Sequence, residues 1–482
     1  MAGVTGIGSG LDIDSIVAGM VAAERAPKET QLANLEKKTT TQITAVGALK
    51  GAISDFQTAL AALNKPELFQ ARSATSSKSD LVGVTATTTA GAGSYQLEVK
   101  SLASSSKVAL AAIPNTAEAP ARFTSGTFEV SLGEPGIPPA PNTTESFSVT
   151  VDENNNTLAG VRDAINTAGK DMGVSATIVT DEYGSRLVLS SSKTGAGRDI
   201  TVTATGADEP GLIGLSALNF TGTSGTGKDA RVLTSAQSAE LYVDGLKVIS
   251  ETNKVDGAIE GVTLDLKAKT VANEPLTIAV AEDKAGVKKQ IQSFVDSYNK
   301  LIGVINAQTK VTSVGEGKAP VTGALVGDAT ARTLLNTIRN ELVNVQGDGA
   351  LRALTDIGIT TQKDGTLAID SAKLDKAMAS NFSELSGLFT GDKGLASRLD
   401  AKLKPYTETG GILEQRNKVM TETITKIDDQ KEALTRRITS LQERLYKQFN
   451  AMDLLVGQLS NTSSSLLASL ENLPWAANNS KK

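Results

Sequence analysis

The chain has 482 residues, 48 Lys and Arg against 53 Asp and Glu, and a formal net charge of −5. That mild balance, with no dominating basic patch, argues against nucleic acid as a partner. It has no Cys and no His, which excludes disulfide staples and removes thiolate and imidazole as metal ligands or catalytic groups.

The length predicts about three domains. The first element is SGLDIDSIVAGMVAAERAP, residues 9–27. No Lys or Arg precedes Arg25, and Asp12 and Asp14 stand where an export signal would carry positive charge. A membrane span needs about 20 consecutive apolar residues, and Ser15, Gly19 and Glu24 break this run. The spacing predicts a helix instead. Ile13, Ile16, Val17, Met20 and Val21 fall on one face, Asp12 or Asp14 caps its start, and Pro27 ends it. Isolated helices under about 12–15 residues are marginal in water, so this stripe needs a cover.

A heptad follows in the proline-free window after Pro27. Its a positions are Leu32, Thr39, Val46, Ile53 and Leu60, and its d positions are Leu35, Gln42, Leu49, Phe56 and Leu63. The window after Pro405 repeats the pattern. Its a positions are Leu413, Met420, Ile427, Leu434, Leu441, Gln448 and Leu455; its d positions are Asn417, Ile424, Lys431, Ile438, Leu445, Met452 and Leu459. Sustained heptads predict a coiled coil. Residues 413–459 would reach about 70 Å as a helix. Two uses remain open: closing a bundle within the chain, or packing on other chains as well.

Between these ends the sequence reads as β. Alternating strands are expected at 81–87, 93–103, 126–133, 145–152, 174–181, 185–192, 199–205, 239–250, 262–270 and 276–283, with Asp244-Gly245 as a hairpin turn. GEPGIPPAPNTT (133–144) reads as a loop. One helix interrupts, over 157–169, with Leu158, Val161 and Ile165 on one stripe. From about residue 284 the helical period returns, first through Val287, Ile291, Phe294, Tyr298, Leu301 and Ile305, then through Leu334, Leu335, Ile338 and Leu342. A hairpin is expected around Asp364-Gly365, and Asp370 caps a helix carrying Leu374, Ala377, Met378 and Phe382.

Chemical motifs are few. GTSGTGKD (222–229) approaches a phosphate loop, but Asp229 stands where Mg²⁺ binding needs Ser or Thr. It reads as a flexible glycine-rich loop. GIGSG (6–10) reads as a tail, and the acids of LDID as helix caps. No catalytic, cofactor-binding or metal-binding residues are singled out, and no cofactor is expected.

Several stretches carry a resemblance. GIGSGLDIDSIVAGMVAAERAP is similar to the opening signature of the bacterial flagellar filament cap proteins, the hook-associated protein 2 family. Residues 157–197 resemble the "IN" motif of flagellins and hook-associated proteins, with Ile165 and Asn166 as the eponymous pair. AELYVDGLKVISETNKVDGAIEGVTLDLK (239–267), IQSFVDSYNKLI (291–302), GALVGDATARTLLNTIR (323–339) and LTDIGITTQKDGTLAID (354–370) resemble the family's C-terminal region in order and spacing.

The expected fold is α+β and multidomain, with a coiled-coil stalk from both ends, a helical bundle and inserted antiparallel β-rich domains. The expected boundaries are 1–70 for the N-terminal leg, 71–130 and 233–283 for a split β domain, 131–232 for an inserted β domain with the IN motif, 284–405 for a helical domain, and 406–482 for the C-terminal leg. The resemblance implies a secreted, non-enzymatic, extracellular homo-oligomer, five copies in the family's usual description, at the distal tip of the flagellum. Its implied partners are flagellin, the flagellar export apparatus and an export chaperone. It would promote filament elongation and prevent flagellin leakage. A surface adhesin binding host mucin or glycans is the alternative. The helices expected to self-associate and dock on the filament carry Ile13, Ile16, Val17, Met20, Leu49, Ile53, Phe56, Leu60, Ile424, Ile427, Leu434, Ile438, Leu441, Leu445 and Met452.

Overall fold

The computed structural model describes residues 10–116, 118–133, 145–315, 317–344 and 350–471. The expected loop at 133–144 and tail at 6–10 lie, apart from Gly133 and Gly10, outside these residues. In chain order the elements are α1 (Ile13–Leu63), α2 (Pro66–Gln70), β1 (Arg72–Ser76), β2 (Val82–Ala86), β3 (Gly93–Ser101), β4 (Ser105–Ala109), β5 (Gly126–Gly133), β6 (Glu145–Val151), α3 (Leu158–Ala168), β7 (Val174–Asp181), β8 (Gly184–Thr194), β9 (Asp199–Gly206) and β10 (Arg231–Thr234). There follow β11 (Ala239–Val243), β12 (Leu246–Ser250), β13 (Lys254–Ile259), β14 (Val262–Leu266), β15 (Leu276–Glu282), α4 (Lys284–Thr309), β16 (Val311–Thr312), β17 (Val321–Thr322), α5 (Ala329–Val343), β18 (Ile359–Thr361), β19 (Leu367–Ile369), α6 (Ser371–Ser380), α7 (Phe382–Phe389), α8 (Leu395–Thr407) and α9 (Ile412–Glu471). The chain forms two compact units: Met1–Pro66 with Ala285–Lys482, and Glu67–Lys284.

The second unit is β-rich and has two cores. One sheet runs β1-β15-β3-β11-β12 and another β13-β14-β2. Their inward side chains, among them Val82, Leu97, Leu241, Leu264 and Ile278, form the first core. The Asp244-Gly245 hairpin forms as expected, both residues at positive φ, the geometry of a tight hairpin turn. Strands β1, β4, β10 and β13 were not expected from the sequence. β13 is disguised by a register shift between Asp256 and Ile259, with Gly257 at φ +80, so its alternation breaks.

The second core lies under sheets β10-β4-β8-β7 and β6-β5-β9, with α3 packed on it. Thr157 caps α3 by accepting from the Gly160 N–H at 3.0 Å. The loop at 222–229, expected to be flexible, is instead gripped from below. Arg186 is 1% exposed. Its Nη1 donates to the carbonyls of Leu110 at 3.1 Å and Asp229 at 2.7 Å, and its Nη2 donates to the Gly227 carbonyl. Its Nε donates to the Asp181 carboxylate at 2.7 Å and holds that carboxyl below its ordinary pKa. A buried cation persists only when its donors are satisfied in this way.

The first unit is helical. Phe56 of α1 packs on Phe294 and Tyr298 of α4, with ring centroids 5.6 and 5.9 Å apart. Asp328 caps α5, accepting from the Ala331 N–H at 2.9 Å, and is also held in a fork by Arg416 of α9. The Arg416 guanidinium keeps the Asp328 carboxyl below its usual range. Helix α4 also grips the β18–β19 hairpin, through Asn299 and through Tyr298, whose hydroxyl donates to the Gly365 carbonyl at 2.8 Å.

Tyr298 is fully buried, and burial pushes its hydroxyl up to about 12. The neutral phenol is therefore favoured by folding. Its stabilisation is complete below pH 10 and fades as pH rises through the folded value. We expect wild-type stability to fall by about 2–3 kcal/mol more than that of Tyr298→Phe between pH 10 and 12, measured by denaturant melts of the full chain. Parallel pH curves would remove the assignment.

Candidate functional site: an antiparallel helical seam and its exposed end

The amphipathic pattern of residues 9–27 does not end at Pro27. Helix α1 runs through it as one 51-residue helix. Pro27 removes one N–H from the ladder, and the carbonyl it leaves unmatched, four residues back at Ala23, sits on an exposed stretch where water can serve it. At the start, Asp12 accepts from the Ser15 N–H at 3.0 Å and from its hydroxyl at 2.6 Å. These bonds hold its carboxyl below the ordinary value.

Helix α9 runs antiparallel to α1. Ile13 and Val17 pack on Leu445 at one end of the seam, and Lys50 faces Glu414 at 3.5 Å at the other. Lys431 bonds Glu36 at 2.5 Å and Arg437 bonds Glu24 at 2.6 Å across it. The polar residues at heptad positions have local explanations. Thr39 is buried and turns its hydroxyl onto the Leu35 carbonyl at 2.8 Å, and Lys431 reaches past the seam to Glu36.

The candidate residues divide into three groups. Leu49, Ile53, Phe56 and Leu60 are at most 1% exposed, in the chain's own helical core, so in this conformation they offer no docking surface. Ile13, Val17, Ile427, Ile438 and Leu445 are buried along the seam, while Ile16, Ile424, Leu434 and Leu441 are half-buried there. Met20 and Met452 are exposed at 47% and 44%. The heptad of α9 outlasts its partner, because α1 starts at Ile13 and the packed cluster ends at Phe449.

From Asn450 to Glu471, α9 continues for about 33 Å. Met452, Leu455, Leu459, Leu466 and Leu470 are all exposed on it. Leu466, Leu467 and Leu470 were not among the sequence candidates. The run SSSLLASLEN carries them, but its serines hide the stripe. Covering five such side chains contributes about 7–15 kcal/mol gross, comparable with the roughly 4–15 kcal/mol lost on association. A surface so balanced suits docking and release.

The IN pair is structural in this fold. Ile165 is fully buried. Asn166 donates to the Ala176 carbonyl at 3.0 Å and accepts from its N–H at 2.7 Å. β7 is an edge strand, so this amide fastens α3 to the sheet and occupies edge groups that could otherwise pair with another chain. Asn253 holds Ala103 and Asn299 holds Leu367 by the same two bonds. Among the described residues, no group of three or more Asp or Glu could hold a metal. Nor is any helix there long and apolar enough to cross a membrane.

A folded β-rich unit joined in sequence to a long helical pair with an uncovered end defines a structural protein built for assembly, and comparison with known proteins gives its family. Family models match three stretches: the flagellar hook-associated protein 2 N-terminus over residues 9–106, the flagellin hook IN motif over 141–193, and the flagellar hook-associated protein 2 C-terminus over 236–461. The B-type flagellar hook-associated protein 2 of Pseudomonas aeruginosa is 48% identical over 99% of both chains. The Escherichia coli K12 flagellar hook-associated protein 2 is 31% identical over 97% of both. The crystal structure of the D1-D2-D3 domains of the E. coli flagellar cap protein FliD superposes with a TM-score of 0.59 at 27% identity, covering 78% of this chain and 99% of that one. The chain belongs to the flagellar hook-associated protein 2 family. That family is structural, and its members are not enzymes.

Proposed function

We propose that this protein caps the flagellar filament at its distal tip, as an oligomer of several copies, and that exported flagellin polymerises beneath it. The observation that carries this reading is the uncovered apolar stripe of α9 from Met452 to Leu470, on a chain whose relatives are flagellar cap proteins. Amphipathic helices dock in matching grooves by such stripes. The filament end, built from helical subunits, would supply those grooves, and each released contact would let the cap shift as a subunit inserts. The chain would reach the tip through the flagellar export apparatus, held by an export chaperone until then. No covalent chemistry is needed.

Imaging of labelled protein on living cells tests this. Signal is expected only at distal tips, and a strain lacking the protein is expected to lose motility. Label spread along filaments, or a null strain that swims normally, as an adhesin would allow, would contradict it.

A further inference from the structure

The seam between α1 and α9 has a gap. Val17 and Leu32 are buried, at 0% and 1% exposure. Between them, every residue from 22 to 31 is exposed and only Val21 is half-buried. A packed helix covers a side chain every three or four residues, so over 22–31 α1 contributes no buried side chain to the seam. On the facing stretch of α9, Leu434 is half-buried and Ile438, next to the Arg437 that pairs with Glu24, is 6% exposed, so the burial there is one-sided. A groove of about 420 Å³ fills the space, with Ala433 and Leu434 beside Glu24, Lys28, Gln430 and Arg437. The Arg437–Glu24 ion pair crosses it with its side chains 72% and 47% exposed, a kind of contact worth little in water.

Pro27 lies inside this gap. It removes a helical hydrogen bond where no packing compensates. The arm before it, Ile13–Ala26, is too short to be a stable helix alone. It is held on α9 by Ile13, Val17 and Val21 against Leu441, Leu445, Tyr446 and Phe449, with Asp14 beside the Tyr446 hydroxyl and raising its pKa.

We propose that Pro27 is a hinge at which the arm Ile13–Ala26 swings off α9 as one unit, while the seam from Leu32 to Leu63 stays closed. Release uncovers Leu441, Leu445 and Phe449, which then run on into Met452, Leu455 and Leu459 as one longer apolar stripe. The hinge sets how much of α9 is available to a filament groove. Its use rests on the docking reading above, but the opening is a property of the isolated chain and is tested without filaments.

The test is native-state hydrogen exchange on the full-length protein, wild type and Pro27→Ala. In the wild type, amides of the arm should exchange together, at least about 100-fold faster than those of residues 45–63, with a step at residue 27. Restoring the missing N–H in Pro27→Ala should slow the arm at least about tenfold and leave residues 45–63 unchanged. The hinge is overturned if α1 exchanges as one unit, if protection only frays gradually toward Ile13, or if Pro27→Ala leaves the arm unaffected.

Discussion

Replacing Leu459 and Leu466 together by Asp should abolish capping while leaving the fold intact. Both side chains are exposed, at 61% and 58%, and lie beyond the last packed contact of α9 at Phe449. Exposed substitutions of this kind change stability by about 0.5 kcal/mol or less, so denaturant melts and helix content should match wild type. Docking is different. Two leucines that become buried against a partner contribute about 3–6 kcal/mol, a loss of roughly 10²–10⁴-fold in affinity, and the buried acids add to it. Tip binding should therefore vanish at wild-type concentrations. The pair is a sharper tool than Ile438 or Leu445, whose replacement would also break the seam inside the chain, where they are 6% and 8% exposed. A variant that melts early would show instead that this end of α9 has an unseen structural role.

Arg186→Met should have the largest effect on stability. The guanidinium is buried and donates to four backbone carbonyls and to Asp181. Methionine fills part of the volume but supplies none of these donors, and Asp181 keeps the Tyr183 N–H and Arg231. Removing one partner from a buried charged network costs about 3–5 kcal/mol. The loop at 222–229 should loosen first, since its carbonyls lose their anchor. Lysine should not rescue, because one ammonium cannot span acceptors set out for a planar fork. Denaturant melts of the full chain, with hydrogen exchange along β8, would measure this. Arg162→Met is the control: its side chain is 35% exposed and, among the described residues, pairs only with the adjacent Asp163. Equal losses at the two positions would remove the special role of Arg186.

The parts of this fold legible in the sequence are those with local causes. The heptads at 413–445 appear in the structure as the seam, because a 3.5-residue repeat reports its own buried face. The caps at Asp12 and Asp370 follow from side-chain oxygens beside open N–H groups. Pro27 misleads as a helix end because its rule assumes that the lost hydrogen bond is costly, and an exposed carbonyl makes it cheap. Strand β1 was hidden because its partner β15 lies some 200 residues away and its own five residues hold one apolar side chain. Asn166 stood out as a motif, but its purpose depends on β7 being an edge. Arg186 gave no signal: one cation in a short alternating strand looks like a solvated position until the loop above it is placed. The docking stripe was half legible. Its period ran to Leu459, and the structure was needed to show that α1 covers only the part before Asn450.

On the proposed function, the uncovered end of α9 binds the growing filament and keeps flagellin from escaping. The most direct test is the amount of unpolymerised flagellin in the medium of a null strain complemented with wild type or with the Leu459→Asp, Leu466→Asp variant, both secreted at equal levels. The variant should release flagellin like the uncomplemented null and build no long filaments. Full-length filaments with a clean medium would contradict the account.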